Sequence, residues 1–182
     1  MTDELNIAFR PGVGADIKYI KNSWLESYRD GDGVRGVPNS FYYEYEQMLL
    51  KQTLPRCSNS GGVILAHEHF PEDDYTDCIE RPILGWICGE ALTTGLLVHY
   101  IYVRGHAQKG KNYGGAYRGR GIAASLLAQL AKSQGLEGEP VFYSYRTAVC
   151  WETQRAREAH KKFGATYVPY YKFSLHDWDR GR

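Results

Sequence analysis

One stretch of this 182-residue chain constrains its fold more than any other, because glycine and arginine alternate there directly before an apolar, helix-like segment. It covers residues 117–127 and reads Tyr-Arg-Gly-Arg-Gly-Ile-Ala-Ala-Ser-Leu-Leu. Gly119 and Gly121 lack a Cβ and can adopt positive φ, so several backbone N–H groups can point the same way. The first turn of a helix adds N–H groups without internal partners and a partial positive charge. The stretch therefore predicts a phosphate or pyrophosphate site, with Arg118 and Arg120 as additional donors.

The charge is divided between the two halves of the chain. Residues 1–103 carry 8 basic and 15 acidic side chains, whereas residues 104–182 carry 14 basic and 6 acidic ones. A basic C-terminal half suits an anionic ligand and an acidic N-terminal half suits a cationic one, although solvated faces without a ligand would give the same counts. The length and a hydrophobic share of 43% fit one globular domain.

The cysteines indicate neither a disulfide framework nor a metal site. Cys57, Cys78, Cys88 and Cys150 form no CxxC pair and have no histidine at metal-ligand spacing. They are interpreted as free thiols in a reducing compartment. The polar N-terminus and the absence of a long apolar run predict no membrane span, and a cytoplasmic location is expected.

The hydrophobic pattern predicts alternating strands and helices without an internal repeat. Strands are predicted at residues 5–9, 63–66, 83–90, 96–103 and 141–145, with a further extended segment at 167–175. Helices are predicted at residues 17–28, 39–52, 122–134 and 152–163, with Pro55 breaking the chain after the second. The fourth strand, the Gly/Arg stretch, the third helix and the fifth strand form one βαβ unit. The earlier strands can follow one another by hairpins, so the sheet should be mixed.

Residues 118–123, Arg-Gly-Arg-Gly-Ile-Ala, resemble the GCN5-related N-acetyltransferase superfamily. Its hallmark is Arg/Gln-x-x-Gly-x-Gly/Ala after strand four, and Tyr-Ile-Tyr-Val at 100–103 looks like the end of that strand. Residues 156–165 match the C-terminal helix of the family more loosely. The resemblance implies one α/β (α+β) domain over residues 1–182. Its mixed, mostly antiparallel sheet has six to seven strands and about four flanking helices, and strands four and five splay apart.

The resemblance also implies acetyl-CoA as cofactor and an N-acetyltransferase activity. The acetyl group would pass to a primary amine of a small molecule or a protein by direct attack in a ternary complex. Tyr102 and Val103 would pair through their backbones with the pantetheine arm, and a strand-four amide would polarise the acetyl carbonyl. The pyrophosphate-binding residues would be Arg118, Gly119, Arg120, Gly121, Ile122 and Ala123. A homodimer is left open.

Three departures from the family pattern concern the site. Residues 104–117 form an insertion, interpreted either as a flexible flap near the cofactor or as a solvated loop. Thr153, a candidate cofactor contact, stands where the family often has Asn. His160 stands where the family often has a Tyr that protonates the leaving thiolate. An imidazole could donate that proton, although a histidine on such a basic helix could also be merely exposed.

Three further residues are candidates for the general base. His99 and Tyr100 lie within strand four, and Glu90 ends strand three. Because adjacent strand residues point to opposite faces, at most one of His99 and Tyr100 is expected to face the cleft. A packing role is an alternative for each, and a water chain could deprotonate the amine instead. The acidic region 72–80, with Glu44 and Glu46, could attract a cationic amine.

Two other functions are less favoured. Residues 109–121 resemble an RGG-type RNA-binding tract with interleaved aromatics, but this tract continues into an apolar helix, so nucleic acid is not the expected partner. A protein with the same fold but without catalysis is the other alternative. The G-x-G-x-x-G fingerprint of dinucleotide sites and the Gly-Lys-Ser/Thr of a P-loop are both absent.

Overall fold

The computed structural model describes residues 6–29, 36–69, 82–104, 120–144, 161 and 164–168. The strands in these residues are β1 (Ile7–Pro11), β2 (Val63–Glu68), β3 (Ile83–Leu92), β4 (Gly95–Val103), β5 (Val141–Tyr143) and β6 (Thr166–Tyr167). The helices are α1 (Ile17–Arg29), α2 (Asn39–Asn59) and α3 (Ile122–Ser133), and a short 3-10 helix at Gly14–Asp16 precedes α1.

The six strands form one sheet in sequential order. β1 to β4 pair antiparallel, whereas β5 pairs parallel with β4 and β6 pairs parallel with β5. This confirms the prediction of a mixed, mostly antiparallel sheet and of a βαβ unit built from β4, α3 and β5. The predicted helix 152–163, apart from residue 161, lies outside the described residues. So do the chain beyond residue 168 and residues 105–117 of the insertion.

Helices cover both faces of the sheet. α1 and α2 pack on one face around the buried rings of Trp24, Tyr42, Trp86 and Tyr100. α3 packs on the other face through Ile122, Leu126 and Leu130. Burial of these apolar faces supplies the main favourable term in folding, so the sheet is a central layer between two cores.

Two glycines of β3 let α3 approach the sheet closely. A Cβ added to Gly85 would lie 2.7 Å from the Tyr102 carbonyl oxygen and 3.3 Å from a Leu126 methyl. A Cβ added to Gly89 would lie 2.8 Å from a methyl of Leu130. Since no larger residue fits at either position, these glycines set how α3 lies over β3 and β4.

Two predicted boundaries were wrong. β1 does not turn at Arg10 and Pro11, because both residues continue the pairing with β2. The second helix does not end before Pro55, because α2 continues to Asn59. Pro55 is exposed, so the Lys51 carbonyl that loses its helical partner can bond water, while Cys57 beyond it is buried. The proline is tolerated because its missing bond lies on the solvent side.

The pairing of β3 with β4 contains a bulge. Cys88 lies opposite Tyr100 and Gly89 lies opposite Val98, so His99 is an extra residue in β4. The bulge breaks the alternation of side chains, and both His99 and Tyr100 contact groups on the α1–α2 face of the sheet. The prediction that these adjacent residues point to opposite faces was therefore wrong.

Candidate functional site

The described parts of β4 and β5 form an opening. β5 pairs with β4 only over Leu96 to Val98, and the Ser144 N–H then donates to the Val98 carbonyl at 3.1 Å. β4 continues to Val103, and its last three residues are partly exposed whereas the preceding six are buried. The edge of β4 beyond Val98 thus has no β5 partner among the described residues, as expected for strands that splay apart.

Backbone directions along this edge follow from one hydrogen bond. The Arg104 N–H donates to the Leu84 carbonyl of β3 at 2.7 Å. Because peptide groups alternate in direction along a strand, those of Tyr102 also face β3. The peptide groups of Ile101 and Val103 face the opening instead. They could pair with an extended ligand as a further strand would.

The first turn of α3 lies at the end of this opening. Ile122 packs in the same core as Ile101 and Val103. Gly121, the N-cap, has φ 79°, in the left-handed region that favours glycine, and a Cβ added there would meet no atom within 4 Å. The helix begins its internal bonding with Ser125, whose N–H donates to the Gly121 carbonyl at 2.9 Å.

The N–H groups of Ile122 and Ala123 therefore lack helical acceptors, and no described residue fills the space beside Gly121. Arg120 is exposed next to them. Arg118 and Gly119 lie outside the described residues, as do Thr153 and His160. The structure thus places Arg120, Gly121, Ile122, Ala123 and Val103 at one end of the opening. The direction of the Tyr102 peptide groups, toward β3, disagrees with the predicted backbone pairing of Tyr102 with the pantetheine arm. The predicted roles of Arg118, Gly119, Thr153 and His160 stay predictions.

A second group of polar residues lies under the sheet, on the α1–α2 face. His99 Nε2 lies 2.8 Å from Glu90 Oε1. The Arg56 guanidinium donates to both carboxylate oxygens of Glu90, at 2.8 and 3.0 Å. The Cys57 thiol completes the group, since its Sγ, a Glu90 oxygen and a His99 nitrogen all lie within 4.8 Å of one another. His99 and Glu90, both predicted as site residues, are thus brought together, but in an internal network.

The contacts within this group shift the pKa values of its members. Burial alone would raise the pKa of Glu90, but the hydrogen bond and charge of His99, and then those of Arg56, lower it to about 2. Burial alone would lower the pKa of His99, but its contacts with Cys57 and Glu90 raise it. The contact with the Cys88 thiol lowers the pKa of Cys57 to about 6. Burial acts in the opposite direction, and His99 lowers this pKa further. The pKa of Cys88 is raised by its contact with Cys57 and by burial.

Tyr100 belongs to a stack of aromatic rings beside this network. Its hydroxyl donates to Ser27 Oγ at 2.9 Å, and its ring centroid lies 5.0 Å from that of Trp24. Trp86 Nε1 donates to Ser23 Oγ at 2.9 Å. The Trp86 ring also stacks on that of Tyr102, with 5.9 Å between the ring centroids. The hydroxyl of Tyr100 is therefore engaged inside the protein, and Tyr102, partly exposed, lies at the outer end of the stack.

The acidic residues predicted to attract an amine separate in the structure. Glu44 is exposed on α2, and the acidic region 72–80 lies outside the described residues. Glu46 is buried, and its charge acts on the neighbouring hydroxyls of Tyr28 and Tyr42, whose pKa values are raised first by burial and then by this carboxylate. Glu46 thus lies among the tyrosines of α1 and α2 and not on an exposed acidic surface.

Arg56 and Cys57 did not emerge from the sequence as site residues. The proline before them had indicated the end of a helix, and their partners lie more than 30 positions further along the chain. The sequence contained one indication that the helix continues. Cys57, a residue type that is usually buried, stands two positions after Pro55. None of the described helices is long and apolar enough to cross a membrane.

Comparisons with known proteins gave matches in structure alone. No family model matches the chain, and no curated protein does. A GCN5-related N-acetyltransferase from Ralstonia eutropha JMP134 matches with a TM-score of 0.54 and 12% identity, over 90% of this chain and 94% of that one. An N-acetyltransferase of the same superfamily from Sphaerobacter thermophilus matches with a TM-score of 0.44 and 18% identity, over 87% of this chain and 44% of that one.

The Salmonella typhimurium structure of yncA with its cofactor acetyl-CoA matches with a TM-score of 0.45 and 14% identity, over 87% of this chain and 79% of that one. Of these three structures, the Ralstonia one alone exceeds a TM-score of 0.5, so the assignment rests on it. That match covers nearly the whole of both chains. The chain therefore has the fold of the GCN5-related N-acetyltransferases.

Proposed function

We propose that this chain is an acetyl-CoA-dependent N-acetyltransferase that passes the acetyl group to a primary amine of a small molecule or a protein. The observation that carries the proposal is the opening between β4 and β5, which ends at the first turn of α3. An extended arm that ends in a pyrophosphate needs free strand-edge peptide groups next to an anion site. The unpaired edge of β4 and the first turn of α3 lie next to each other in the described residues, which supports the proposal.

The residues that would hold the cofactor follow from this arrangement. The outward peptide groups of Ile101 and Val103 would pair with amides of the pantetheine arm. The N–H groups of Ile122 and Ala123 would donate to the pyrophosphate, since Gly121 leaves the approach open. Arg120 would add a charged donor, joined by the predicted Arg118 and Gly119.

The bound thioester supplies an activated acetyl group, and the chain would act on it by orientation and proton transfer. A neutral amine forms the new N–C bond as the C–S bond breaks. A β4 peptide N–H facing the opening would stabilise the negative charge that develops on the carbonyl oxygen. The amine proton would leave to water, and His160 would donate the proton that the sulfur takes up.

Tyr100, His99 and Glu90 would support this site from beneath rather than touch the acceptor. Tyr100 and His99 are nearly inaccessible, with 4% and 5% exposure, and all three are hydrogen-bonded inside the protein. Glu44, exposed on α2, would help to attract a cationic amine to this side of the molecule.

The test is to follow thermal unfolding of the full chain during a titration with acetyl-CoA. A ligand that binds only the folded state stabilises it by about 2.7 kcal/mol at a concentration of 100 times Kd. We expect a saturable rise in Tm, with little rise for free adenine. The absence of any rise at millimolar acetyl-CoA would refute the proposal.

Turnover is measured separately, as release of free thiol in the presence of a panel of polyamines, aminoglycoside-like amines and peptides. A rise in Tm without turnover on any amine would favour a CoA-binding protein that has lost catalysis.

For His160, we expect His160→Phe to lower kcat about 100-fold and His160→Tyr to restore most of it, because both the imidazole and the phenol can donate a proton. Unchanged turnover in His160→Phe would remove this residue from the mechanism.

A further inference from the structure

Cys57, Glu90, His99 and Cys88 form a network that is here called the thiol cluster. Its two thiols take no part in the ion pairs that Glu90 forms with Arg56 and His99. A thiol sulfur, a carboxylate oxygen and an imidazole nitrogen from α2, β3 and β4 converge within 4.8 Å of one another. Cys88 is fully buried in the same core as Cys57, and its thiol contacts that of Cys57. Three potential metal ligands of different chemical types thus share one small volume, and a second thiol lies beside Cys57.

We propose that the thiol cluster is a binding site for a divalent transition-metal cation, with Zn²⁺ as the ion that its ligands suit best. Zn²⁺ prefers thiolate, imidazole and carboxylate ligands in tetrahedral arrangement. Hard cations such as Mg²⁺ and Ca²⁺ prefer an all-oxygen shell, which this site does not provide. The site differs from the proposed cofactor site, since the ligand atoms of Cys57, Glu90 and His99 lie on the α1–α2 side of the sheet, beneath the β4–β5 opening.

The spacing needs little adjustment. His99 Nε2 and Glu90 Oε1 are 2.8 Å apart in their hydrogen bond. With bonds of about 2.0–2.1 Å to Zn²⁺, two such ligands at a tetrahedral angle lie roughly 3.3 Å apart. A cation between them would therefore replace a hydrogen bond by two coordinate bonds with a shift of about half an ångström. Cys57 would supply the third ligand, and water would take the fourth position of the tetrahedron.

The charges also balance. With the thiol of Cys57 ionised, Cys57 and Glu90 carry two negative charges, which a divalent cation neutralises, while the charge of Arg56 lies at the partly exposed edge of the site. This matters because uncompensated charge in a buried site is strongly unfavourable. Arg56 would hold the Glu90 carboxylate through both oxygens, as partners outside the metal shell commonly do.

The backbone prepares the site before any ligand enters. The Gly62 N–H donates to the Cys57 carbonyl at 2.7 Å, and the Gly62 carbonyl accepts from the Gly89 N–H at 2.8 Å. These bonds tie the last turn of α2 to β3 between Cys88 and Glu90. Glu90 and Arg56 are 16% and 31% exposed, so a cation has an approach along their edge.

The experiment uses the full chain, stripped of metal under reducing conditions and titrated with Co²⁺, a spectroscopic substitute for Zn²⁺. We expect thiolate-to-Co²⁺ charge-transfer absorption that saturates near equimolar cobalt and disappears when Zn²⁺ is added. Cys57→Ser should abolish the absorption, and His99→Gln should weaken Zn²⁺ binding at least about 100-fold. Arg56→Leu should weaken it about 10–100-fold by freeing the carboxylate.

His67→Gln is the matched control, since His67 is also a buried sheet histidine but lies outside the thiol cluster. It should keep full Zn²⁺ binding. If Cys57→Ser does not fold, the double variant Cys78→Ser/Cys150→Ser decides the question, because it retains only the two cysteines of the cluster. Loss of the absorption in that double variant, its absence from the unaltered chain, or equal losses in His67→Gln and His99→Gln would each overturn the proposal.

Discussion

Arg10 and Asp16 form a buried, two-pronged ion pair at the entrance to α1, with Nη1–Oδ2 and Nη2–Oδ1 distances of 2.6 and 2.8 Å. The Val13 N–H donates to the same carboxylate at 2.9 Å. Burial alone would raise the pKa of Asp16, but the bonds from Arg10 and Val13 outweigh it and hold the pKa below its ordinary value. The pair links β1 to the turn that begins the α1–α2 layer.

Stability should therefore fall in acid through Asp16. Because its folded pKa lies below the unfolded value of about 3.9, its contribution is fully present above that value and is lost as pH falls through the folded pKa. Urea unfolding from pH 6 down to pH 2 measures this loss. Asp16→Asn should flatten the acidic part of the profile, and an unchanged slope would contradict the assignment.

At neutral pH, Asp16→Asn should destabilise the fold by about 3–5 kcal/mol, because it leaves the Arg10 charge buried without its carboxylate. The double variant Arg10→Met/Asp16→Leu removes both charges and should recover most of that loss. A double variant as unstable as Asp16→Asn would show that the pair stabilises the fold beyond the burial of one charge.

Gly89→Ala should destabilise the fold by about 3 kcal/mol or more, because the added Cβ would lie 2.5 Å from the Leu97 carbonyl oxygen and 2.8 Å from a Leu130 methyl. Gly14→Ala is the control, since no atom lies within 4 Å of a Cβ added there. It should change the free energy of unfolding by less than about 1 kcal/mol. Equal effects in urea unfolding of the two variants would contradict the close packing of α3 on β3.

Arg120→Ala should weaken acetyl-CoA binding about tenfold, or roughly 1.4 kcal/mol, because it removes a charged donor beside the first turn of α3. Lys132→Ala removes an exposed cation from the other end of the same helix and should leave the affinity unchanged. The measurement is calorimetric titration at low and high salt, since added salt screens an exposed charge and should narrow the difference. Equal affinities of the two variants at low salt would argue against the first turn of α3 as the pyrophosphate site.

Tyr100→Phe should reduce stability by about 1 kcal/mol, because it removes the hydrogen bond to Ser27 while leaving the stacked ring in place. Turnover should stay within a few-fold of the unaltered enzyme, since the proposed role of Tyr100 is support. A loss of 100-fold or more in kcat with normal thermal stability would instead identify the hydroxyl as a catalytic group.

Much of the fold and one end of the candidate site were predictable from the sequence, because their signals are local. Residues 118–123 contain the loop chemistry, and the β4, α3 and β5 segments follow from hydrophobic period and turn residues. The Gly/Arg stretch needs no distant partner to place an anion at a helix start, and Gly121 indeed adopts the positive φ that it predicts. A mixed sheet follows because β3 and β4 form an antiparallel hairpin, whereas β4 and β5 are parallel and joined by the crossover through α3.

The other end of the site was decided by tertiary structure. A one-residue bulge turned His99 toward α2, and α2 continued past Pro55 because its missing hydrogen bond faces water. Neither event has a signal within a short window of sequence, since each depends on what lies across the sheet or outside the helix. The chain by itself thus determined the turn and helix start at which we propose that an anion binds. Only packing between residues more than 30 positions apart brought Arg56 to Glu90 and Cys57 to His99.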